Sequence, residues 1–431
     1  MSYDVAIVGA GPGGLHTAKW AAKKGLKIIL IEKRKDISKI TRYCSEHIIL
    51  DEGYNGDTIK VETGGKKKIV STKFGWEVDY KGELCPVIDK YYYSKNLKHN
   101  AHFAWPDKSP FAYKYDKGVI IQGLLDEVLE LGVEYRNEST CYDVNDSPEG
   151  AELKCVSKGK KFRVKAKRLI GADGASARIA QSLGLNNDRV FFAAAHCLAV
   201  YMSNVKDYNP SEWKGFWGTC YGSNLAPLMG TGPAGHFEDW ADVIILGSSR
   251  QAPEEVMEYF TKKSPVAWMF ENAKVEEKHC CLTKAYSPLK KPYKGNCLMI
   301  GDAAAFVETQ AQGALNCGYW AADALAKELE GKNGFEEYTD TWLKTFEFHD
   351  EGMMQVVSGY ALIPYYTDEE VEYLFSLLDG ITLDGSWSQY KSPRMMWAAI
   401  KRDPEKIKRD RPEIWEKINK QQSKTLADSM A

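Results

Sequence analysis

The sequence predicts an α/β fold in which a Rossmann-type domain is interleaved with a second β-sheet domain and followed by a helical C-terminal region. Three observations predict it. A strand, a glycine-rich turn, a helix and a second strand occupy residues 4–32. Two later apolar strands, ending near residues 171 and 300, each run into an acidic residue and small residues. Between them, residues 190–250 hold apolar runs typical of a separate sheet.

The remaining elements follow from hydrophobic spacing. Apolar residues at helical spacing predict helices over 119–131, 253–262 and a small-residue helix ending near 330. Strands are expected at 133–142, 151–157, 161–170, 191–200, 243–246 and 296–300. Residues 74–115 look aromatic and irregular. The tail, 335–431, is expected to be helical, with breaks at Pro364, Gly380, Gly385 and Pro393.

Bulk composition excludes several classes of protein. The 431 residues carry 57 Lys and Arg against 59 Asp and Glu, a net charge of −2, which argues against a nucleic-acid binder. No apolar run approaches the ~20 residues of a transmembrane segment. Without a signal peptide, a cytoplasmic location is expected. The ten cysteines form no C-x-x-C pair and no zinc-ligand spacing, so no metal is expected. The adjacent Cys280 and Cys281 could form a vicinal disulfide, although two core thiols are the expected state.

The first βαβ unit has the pattern of a dinucleotide site. Residues 5–14 read Val-Ala-Ile-Val-Gly-Ala-Gly-Pro-Gly-Gly, a strand followed by G-x-G-x-x-G. Gly9 permits the tight turn, Gly11 lets backbone approach a pyrophosphate, and Gly14 lets the helix pack against the strand. Pro12 and Gly13 lie between them, where the helix N-terminus offers free N–H groups to phosphates.

An acidic residue closes the second strand of the unit. Glu32 comes 18 residues after Gly14, at the position that binds an adenosine ribose through its hydroxyls, and Lys33 follows it. A carboxylate here disfavours a 2′-phosphate. Asp173, in the segment Gly-Ala-Asp-Gly at 171–174, and Asp302, after Gly301, also end strands before small residues. A dinucleotide can lie against such backbone.

Together these segments resemble the p-hydroxybenzoate hydroxylase superfamily of FAD enzymes, and within it the geranylgeranyl reductase family. The resemblance runs from about residue 3 to 330 and is strongest at 4–34, 166–180 and 285–325. It includes Ser-Pro at 287–288 and Gly-Asp-Ala-Ala at 301–304. It departs at 307–315, where relatives commonly have Pro and a Gly-Glu-Gly-Ile-like stretch. The lipid-reductase signature Tyr-x-Trp-x-Phe-Pro is absent, and 215–221 is only vaguely similar to it.

The resemblance implies a domain division and a set of FAD contacts. The FAD-binding domain would comprise 1–73, 116–189 and 285–334, the substrate domain 74–115 and 190–284, and the helical region 335–431. Glu32 would bind the FAD ribose and Asp302 the ribityl chain. The other implied FAD neighbours are Arg42 and Lys117 near the phosphates, the backbone at Cys141 near the adenine, and a helix opening toward the flavin at Gly313, Ala314, Leu315 and Asn316.

Two residues of the segment 41–47 are candidates for catalysis. The resemblance puts Cys44 near the flavin, where it could donate a proton to substrate carbon or modulate the flavin. A small buried hydrophobe is the competing interpretation. His47 could act as acid or base, but a hydrogen-bonded structural histidine is the favoured interpretation. His196, in an apolar run, is expected to pack in the core.

The sequence therefore predicts an FAD-dependent oxidoreductase that transfers hydride between flavin N5 and an unsaturated, apolar or aromatic-like small molecule. The alternatives are a flavin-dependent monooxygenase or halogenase of the same superfamily, and a non-catalytic prenyl-binding or electron-transfer flavoprotein. Only one strong dinucleotide turn is present, so electrons would come from transiently bound NAD(P)H, from a redox partner protein or from the substrate.

Aromatic residues are distributed unevenly along the chain. Residues 1–73 hold four and 116–190 hold three, whereas the 42 residues 74–115 hold eleven. In the run Tyr91-Tyr92-Tyr93, strand alternation would send the middle ring to the opposite face. This distribution suggests a large aromatic-lined pocket beside the flavin, with core packing between domains as the competing explanation.

Overall fold

The computed structural model describes residues 3–40, 44–232, 239–247, 251–350, 352 and 365–421. Arg42, implied near the FAD phosphates, and Pro364, expected to break the tail, lie outside the described residues. Among the residues that are described, no helix combines the length and the apolar character needed to cross a membrane.

One eight-stranded sheet carries the glycine-rich turn. Its strands are β1 (Tyr3–Val8), β2 (Ile28–Ile31), β11 (Glu134–Arg136), β12 (Ser139–Ser147), β13 (Gly150–Ser157), β14 (Lys160–Gly171), β20 (Tyr293–Lys294) and β21 (Cys297–Met299). Their order is β11-β2-β1-β14-β13-β12, and β21 pairs with both β14 and β20. The central strands are parallel, with Val5 of β1 opposite Ile28 and Arg168. Their near-complete burial explains the continuous apolar runs in the sequence.

A second eight-stranded sheet is mostly antiparallel. Its strands, in spatial order, are β19 (Lys274–Tyr286), β15 (Phe191–Ser203), β18 (Ala241–Gly247), β17 (Leu228–Thr231), β16 (Glu212–Phe216), β8 (Asp89–Tyr93), β9 (Asn100–Phe103) and β22 (Thr382–Leu383). β15 runs antiparallel to β18 and β19, whereas β8 pairs in parallel with β16. The expected separate sheet is therefore present, and the tail contributes its last strand.

Two three-stranded sheets complete the β structure. One has the order β3 (His47–Ile49), β10 (Ala112–Tyr115), β7 (Leu84–Val87), and the other β4 (Ile59–Glu62), β5 (Lys67–Ser71), β6 (Glu77–Tyr80). The expectation that 74–115 is irregular is wrong, because β6 to β10 all lie in it. These strands have only four or five residues each, too few for an alternating pattern to stand out among the prolines.

The helices pack on the first sheet, on the second eight-stranded sheet and in the tail. They are α1 (Pro12–Lys23), α2 (Lys117–Glu130), α3 (Arg178–Ser182), α4 (Pro253–Lys262), α5 (Gln310–Leu329), α6 (Gly334–Thr345), α7 (Asp368–Ser376), α8 (Lys391–Ile400), α9 (Pro404–Asp410) and α10 (Pro412–Gln421). The expected break at Pro393 is wrong, since Pro393 lies in the first turn of α8. A first-turn N–H has no partner within its helix, so proline is tolerated there.

The structure agrees with some of the predictions for individual strands and differs from others. The strand expected at 133–142 is split into β11 and β12, because Glu138 adopts a positive φ of 47° between them. The alternation of the tyrosine run is confirmed: Tyr92 is buried, while Tyr91 and Tyr93 stack on one another with ring centroids 5.5 Å apart. His196 is exposed on β15, so its expected core packing is wrong.

Candidate active site

The turn between β1 and α1 requires glycine for steric reasons. Gly9 has a φ of +106°, and a Cβ there would collide with the carbonyl oxygen of Ala172. A Cβ on Gly14 would collide with the carbonyl oxygen of Gly9. Gly11, in contrast, faces open space, with no atom within 4 Å of a Cβ built on it. Two glycines therefore make the turn compact, and the third leaves its backbone open to a ligand.

Glu32 is held at the end of β2 by backbone N–H groups. Its Oε2 accepts from the Ala10 N–H at 2.8 Å, and its Oε1 accepts from the Arg34 N–H at 2.9 Å and from Arg34 Nε at 3.1 Å. Burial raises the pKa of Glu32, but the Arg34 charge and these hydrogen bonds outweigh burial and hold the pKa below its ordinary value. The side chain is thus a fixed, ionised acceptor beside the glycine turn.

A cavity of about 320 Å³ runs along the carboxyl ends of the parallel strands. This edge is where open α/β sheets bind ligands. Of the residues implied as FAD neighbours, the cavity brings together Gly9, Gly11, Pro12, Gly13, Gly14, Glu32, Lys33, Cys44, Lys117, Cys141, Asp173, Gly301, Asp302 and Ala314. Gly313, Leu315 and Asn316 do not line it.

Two aspartates follow the strands β14 and β21. Asp173 Oδ2 accepts from the N–H of Arg178 at 2.6 Å, while its Oδ1 is buried with no hydrogen-bond partner among the described residues. Burial raises the pKa of Asp173. Asp302 Oδ1 accepts from the Thr309 N–H at 2.8 Å and from Thr309 Oγ1 at 3.1 Å. Asp302 therefore fixes the loop before α5, whereas Asp173 keeps one oxygen for a ligand.

Helix α5 begins three residues earlier than the resemblance implies. Its first residue, Gln310, has a φ of +57°, lines the cavity, and buries an Oε1 with no partner among the described residues. Leu315 and Asn316 have structural contacts instead. The Leu315 carbonyl contacts His16 Nδ1 at 2.7 Å, and Asn316 Oδ1 accepts from Trp76 Nε1 at 2.8 Å. Gln310 is thus a site residue that the sequence pattern missed.

Cys44 lies in the cavity next to a cation. The Lys117 side chain and the Cys44 sulfur line the same cavity, and the electrostatic interaction between them favours the charged lysine. Burial raises the pKa of the Cys44 thiol against the Lys117 charge, and the carboxylates of Glu46 and Glu308 raise it further. Burial lowers the pKa of Lys117, but the neighbouring Cys44, Glu46 and Asp302 raise it above its ordinary value. At neutral pH the site therefore pairs a protonated thiol with a charged lysine.

Glu46, two residues after Cys44, is a buried acidic residue that the sequence pattern does not indicate. It is 5% exposed, has a φ of +54°, and its Oε2 has no hydrogen-bond partner among the described residues. Burial raises the pKa of Glu46 to about 8; Lys114 and Lys117 oppose this shift, and Asp116 and Asp242 add to it. Glu46 therefore holds a proton at neutral pH, two residues from Cys44.

His47 lies outside the cavity lining, against tryptophans. Its ring stacks on Trp387 at a centroid distance of 4.0 Å and meets the Trp213 ring edge-on at 5.2 Å. Neither ring nitrogen has a hydrogen-bond partner among the described residues. Burial and the Lys114 charge hold the pKa of His47 well below its ordinary value. His47 is therefore a neutral packing residue here, and the expected structural hydrogen bond is not formed.

The buried Lys114–Asp242 ion pair joins the sheets beside the site. Lys114, on β10, donates from Nζ to Asp242 Oδ2, on β18, and both side chains are fully buried. In β10, Lys114 pairs with His47 of β3. The pair thus fixes the strand that follows Cys44 against the second eight-stranded sheet.

The donors and acceptors of the cavity fit FAD. Glu32 and the unpartnered oxygen of Asp173 accept from hydroxyls, the open backbone at Gly11 leaves room for a pyrophosphate, and Lys117 supplies positive charge. In the described part of the chain, no group of three or more His, Cys, Asp or Glu residues could hold a metal ion.

Replacing Glu32 with alanine is expected to weaken FAD binding by about 10- to 100-fold, because it removes a charged hydrogen-bond acceptor. The measurement is FAD titration of the apoprotein, together with the ratio of FAD to protein after gel filtration. Asp36→Ala, which removes an exposed carboxylate four residues away, serves as the matched control and should bind FAD normally. Unchanged FAD occupancy in Glu32→Ala would contradict the ribose assignment.

Replacing Glu46 with glutamine is expected to change the pH dependence of stability. The folded pKa is raised to about 8, so the wild-type carboxyl binds more protons folded than unfolded between its ordinary pKa and pH 8. The stability of the wild type should therefore fall as pH rises across that window. Glutamine is a neutral isostere that does not titrate, so this part of the pH dependence should be absent in Glu46→Gln. Urea unfolding should show Glu46→Gln similar to wild type at pH 5 and more stable at pH 8. The exposed Glu254→Gln should change neither; an identical pH slope for Glu46→Gln and wild type would count against the raised pKa.

Comparison with known proteins agrees with this geometry. The FAD-binding domain family matches residues 2–341. Digeranylgeranylglycerophospholipid reductases from Methanococcus vannielii and Methanocaldococcus jannaschii are 25% and 24% identical to the chain. The first alignment covers 86% of this chain and 89% of the relative, and the second 89% and 92%.

A solved structure has the same fold. It is a geranylgeranyl bacteriochlorophyll reductase-like protein from Thermoplasma acidophilum, with a TM-score of 0.72 and 18% identity over 97% of this chain and 99% of that one. The resemblance drawn from the sequence motifs is confirmed. Because the family match spans most of the chain, the protein belongs to the FAD-binding domain family and is an FAD-dependent oxidoreductase.

Proposed function

We propose that the protein reduces a carbon–carbon double bond in an unsaturated, apolar organic molecule. The names of the two archaeal relatives favour an isoprenoid chain as the substrate class. Bound FAD, when reduced, supplies a hydride from N5. The polypeptide then has to orient the substrate and deliver one proton to the carbon next to the one that receives the hydride.

The observation that carries this proposal is the protonated thiol of Cys44 beside Lys117 inside the cavity. Cys44 Sγ–H is the proton donor that addition across a double bond requires. The charge of the neighbouring Lys117 ammonium stabilises the thiolate left behind. Glu46, two residues from Cys44, holds a proton at neutral pH and is the proposed source that restores the thiol proton afterwards.

The N-terminus of α5 adds positive potential at the cavity. Gln310, Ala311 and Ala314 line the cavity at the start of this 20-residue helix. The first N–H groups of a helix have no partner within it and carry partial positive charge. This end of α5 favours a negatively charged, reduced cofactor, which supports a reductase.

An anaerobic assay tests the proposal. The purified, FAD-loaded protein is reduced chemically, and an isoprenoid alkene such as a geranylgeranyl lipid is added without oxygen. We expect the flavin absorbance to return and the product to carry two additional hydrogens per double bond. Product that forms only with oxygen would favour a monooxygenase or halogenase. A colourless protein that takes up no FAD would overturn the oxidoreductase assignment.

We further propose NAD(P)H as a transient electron donor, bound in a second cavity of about 560 Å³. Ser176, Arg178 and Asp302 line both this cavity and the FAD cavity. The second cavity also contains Lys284 and the ring of Tyr286. Two cations suit the phosphates of a dinucleotide, and an aromatic ring offers a stacking face.

Replacing Arg178 with alanine is expected to raise the KM for NAD(P)H about tenfold, since a charge-assisted hydrogen bond to phosphate contributes on the order of 1.5 kcal/mol. Anaerobic bleaching of the flavin by NADH or NADPH gives the rate. Lys263→Ala, at an exposed lysine of the same charge, is the control. Bleaching by a redox partner protein but by neither nucleotide would contradict the proposed donor.

A further inference from the structure

Four of the ten cysteines face one another across antiparallel strands. Cys197 of β15 is paired with Cys281 of β19, and Cys141 of β12 with Cys155 of β13. None of these four described cysteines forms a disulfide in the structure. Directly opposed residues in antiparallel strands have Cα atoms about 4.5–5.5 Å apart, within the 4.4–6.8 Å range of disulfides. Each pair could therefore form a disulfide without displacing its strands.

The two pairs differ in access to solvent. Cys141 and Cys155 are 4% and 0% exposed. Cys197 is also buried, at 4%, but Cys281 is half-buried on β19, which is the edge strand of its sheet. A small oxidant can therefore reach the Cys197–Cys281 pair through Cys281.

The positions of Cys197 and Cys281 assign the two thiols different roles. Contact with Cys281 and burial raise the pKa of Cys197, so Cys197 keeps its proton at neutral pH. The hydroxyl of Thr283 lies 3.7 Å from the Cys281 sulfur, a contact in which either group can donate. Cys281 is the accessible sulfur of the pair, so it is the one that a dissolved disulfide meets first, and its thiolate is the nucleophile in thiol–disulfide exchange.

We propose that Cys197 and Cys281 form a reversible disulfide when the protein meets a low-molecular-weight disulfide. The Cys281 thiolate attacks one sulfur of the small disulfide, whose S–S bond breaks and releases one small thiol. Cys197 then loses its proton and attacks Cys281, which releases the second small thiol and forms the protein disulfide. Two electrons pass from the protein to the small disulfide.

The new bond would constrain the sheet close to the candidate site. Cys197 belongs to the buried cluster that contains Trp213, with Cys281 packed against it. Trp213 contacts the ring of His47, three residues after Cys44. The crosslink would fix edge strand β19 to β15 on the side that faces this cluster. The proposal concerns thiol chemistry alone, so it does not depend on the substrate.

The test uses the native, FAD-loaded protein with oxidised glutathione as the probe. After incubation, remaining thiols are alkylated and peptides are identified by mass spectrometry. We expect a peptide that joins Cys197 to Cys281, with two hydrogens fewer, and its loss on addition of dithiothreitol. Cys280→Ser, which removes the exposed neighbouring thiol, should give the same crosslink. Cys197→Ser should instead retain a glutathione adduct on Cys281.

Other outcomes would overturn the proposal. A Cys280–Cys281 vicinal link, an adduct on Cys280 alone, or no crosslink while the flavin spectrum is native would each do so. Formation of the Cys141–Cys155 disulfide before the Cys197–Cys281 disulfide would show that access through Cys281 does not decide the chemistry. Loss of the Cys197–Cys281 crosslink in Cys280→Ser would show that Cys280, and not Cys281, is the thiol that attacks the small disulfide.

Discussion

Alanine in place of Cys44 is expected to slow substrate reduction by about 10²–10⁴-fold, the usual contribution of a positioned general acid, while FAD remains bound. The physical reason is that the Cys44 thiol, kept protonated by burial and lying in the cavity near the Lys117 charge, is the proposed proton donor. Alanine retains the small apolar volume and removes the proton. The measurement is the anaerobic rate at which an isoprenoid alkene reoxidises the reduced flavin.

Two variants make the result specific to the thiol. Cys44→Ser keeps an O–H donor of higher pKa, so its rate should lie between those of wild type and Cys44→Ala. Cys280→Ser changes an exposed thiol and should leave the rate unchanged. If Cys44→Ala turned over at the wild-type rate with normal FAD content, Cys44 would be a packing residue.

The site residues that could be predicted from the sequence are those whose function follows from their position directly after a strand. The glycine turn, Glu32 and Asp302 each lie directly after a strand, and strand ends of a parallel sheet converge at one edge. Gly9 and Gly14 are needed by local sterics that a short motif records. These residues meet in one cavity because the βαβ unit leaves few other arrangements.

The residues that sequence missed depend on contacts between distant segments. Lys114 and Asp242 are 128 positions apart, and nothing in either local sequence indicates that they pair. The raised pKa of Glu46 depends on the burial of its side chain in the folded protein, which the local sequence does not indicate. Gln310 lines the cavity at the first residue of α5, where its φ is positive. The spacing of apolar residues in the sequence does not reveal where a helix begins.

His47 illustrates the same limit. The sequence predicts either acid–base chemistry or a hydrogen-bonded structural histidine. In the structure neither ring nitrogen has a hydrogen-bond partner among the described residues, and Trp387 of the C-terminal region stacks on the ring. The eleven aromatic residues of 74–115 likewise include core residues in and next to short strands. Trp76, Phe103 and Phe111 are fully buried, which favours core packing for part of this cluster.

Replacing Lys114 with methionine is expected to destabilise the fold by about 3–5 kcal/mol, because Asp242 would keep a buried charge without its cation. Lys114 and Asp242 are both 0% exposed, so water cannot replace the lost partner. The free energy of unfolding in urea measures the loss. Lys262→Met, which breaks an exposed pair with Glu258, is the matched control and should cost less than about 1 kcal/mol.

The double variant Lys114→Met with Asp242→Leu separates the loss of attraction from the burial of an unpaired charge. We expect it to be more stable than Lys114→Met alone, since apolar side chains can replace a buried pair at little cost. Because β10 pairs with β3, weakening the contact with β18 should also loosen the strand that follows Cys44. Lys114→Met should therefore lose reductase activity at temperatures where FAD is still bound. A variant as stable and active as wild type would mean that the two sheets are held together without this pair.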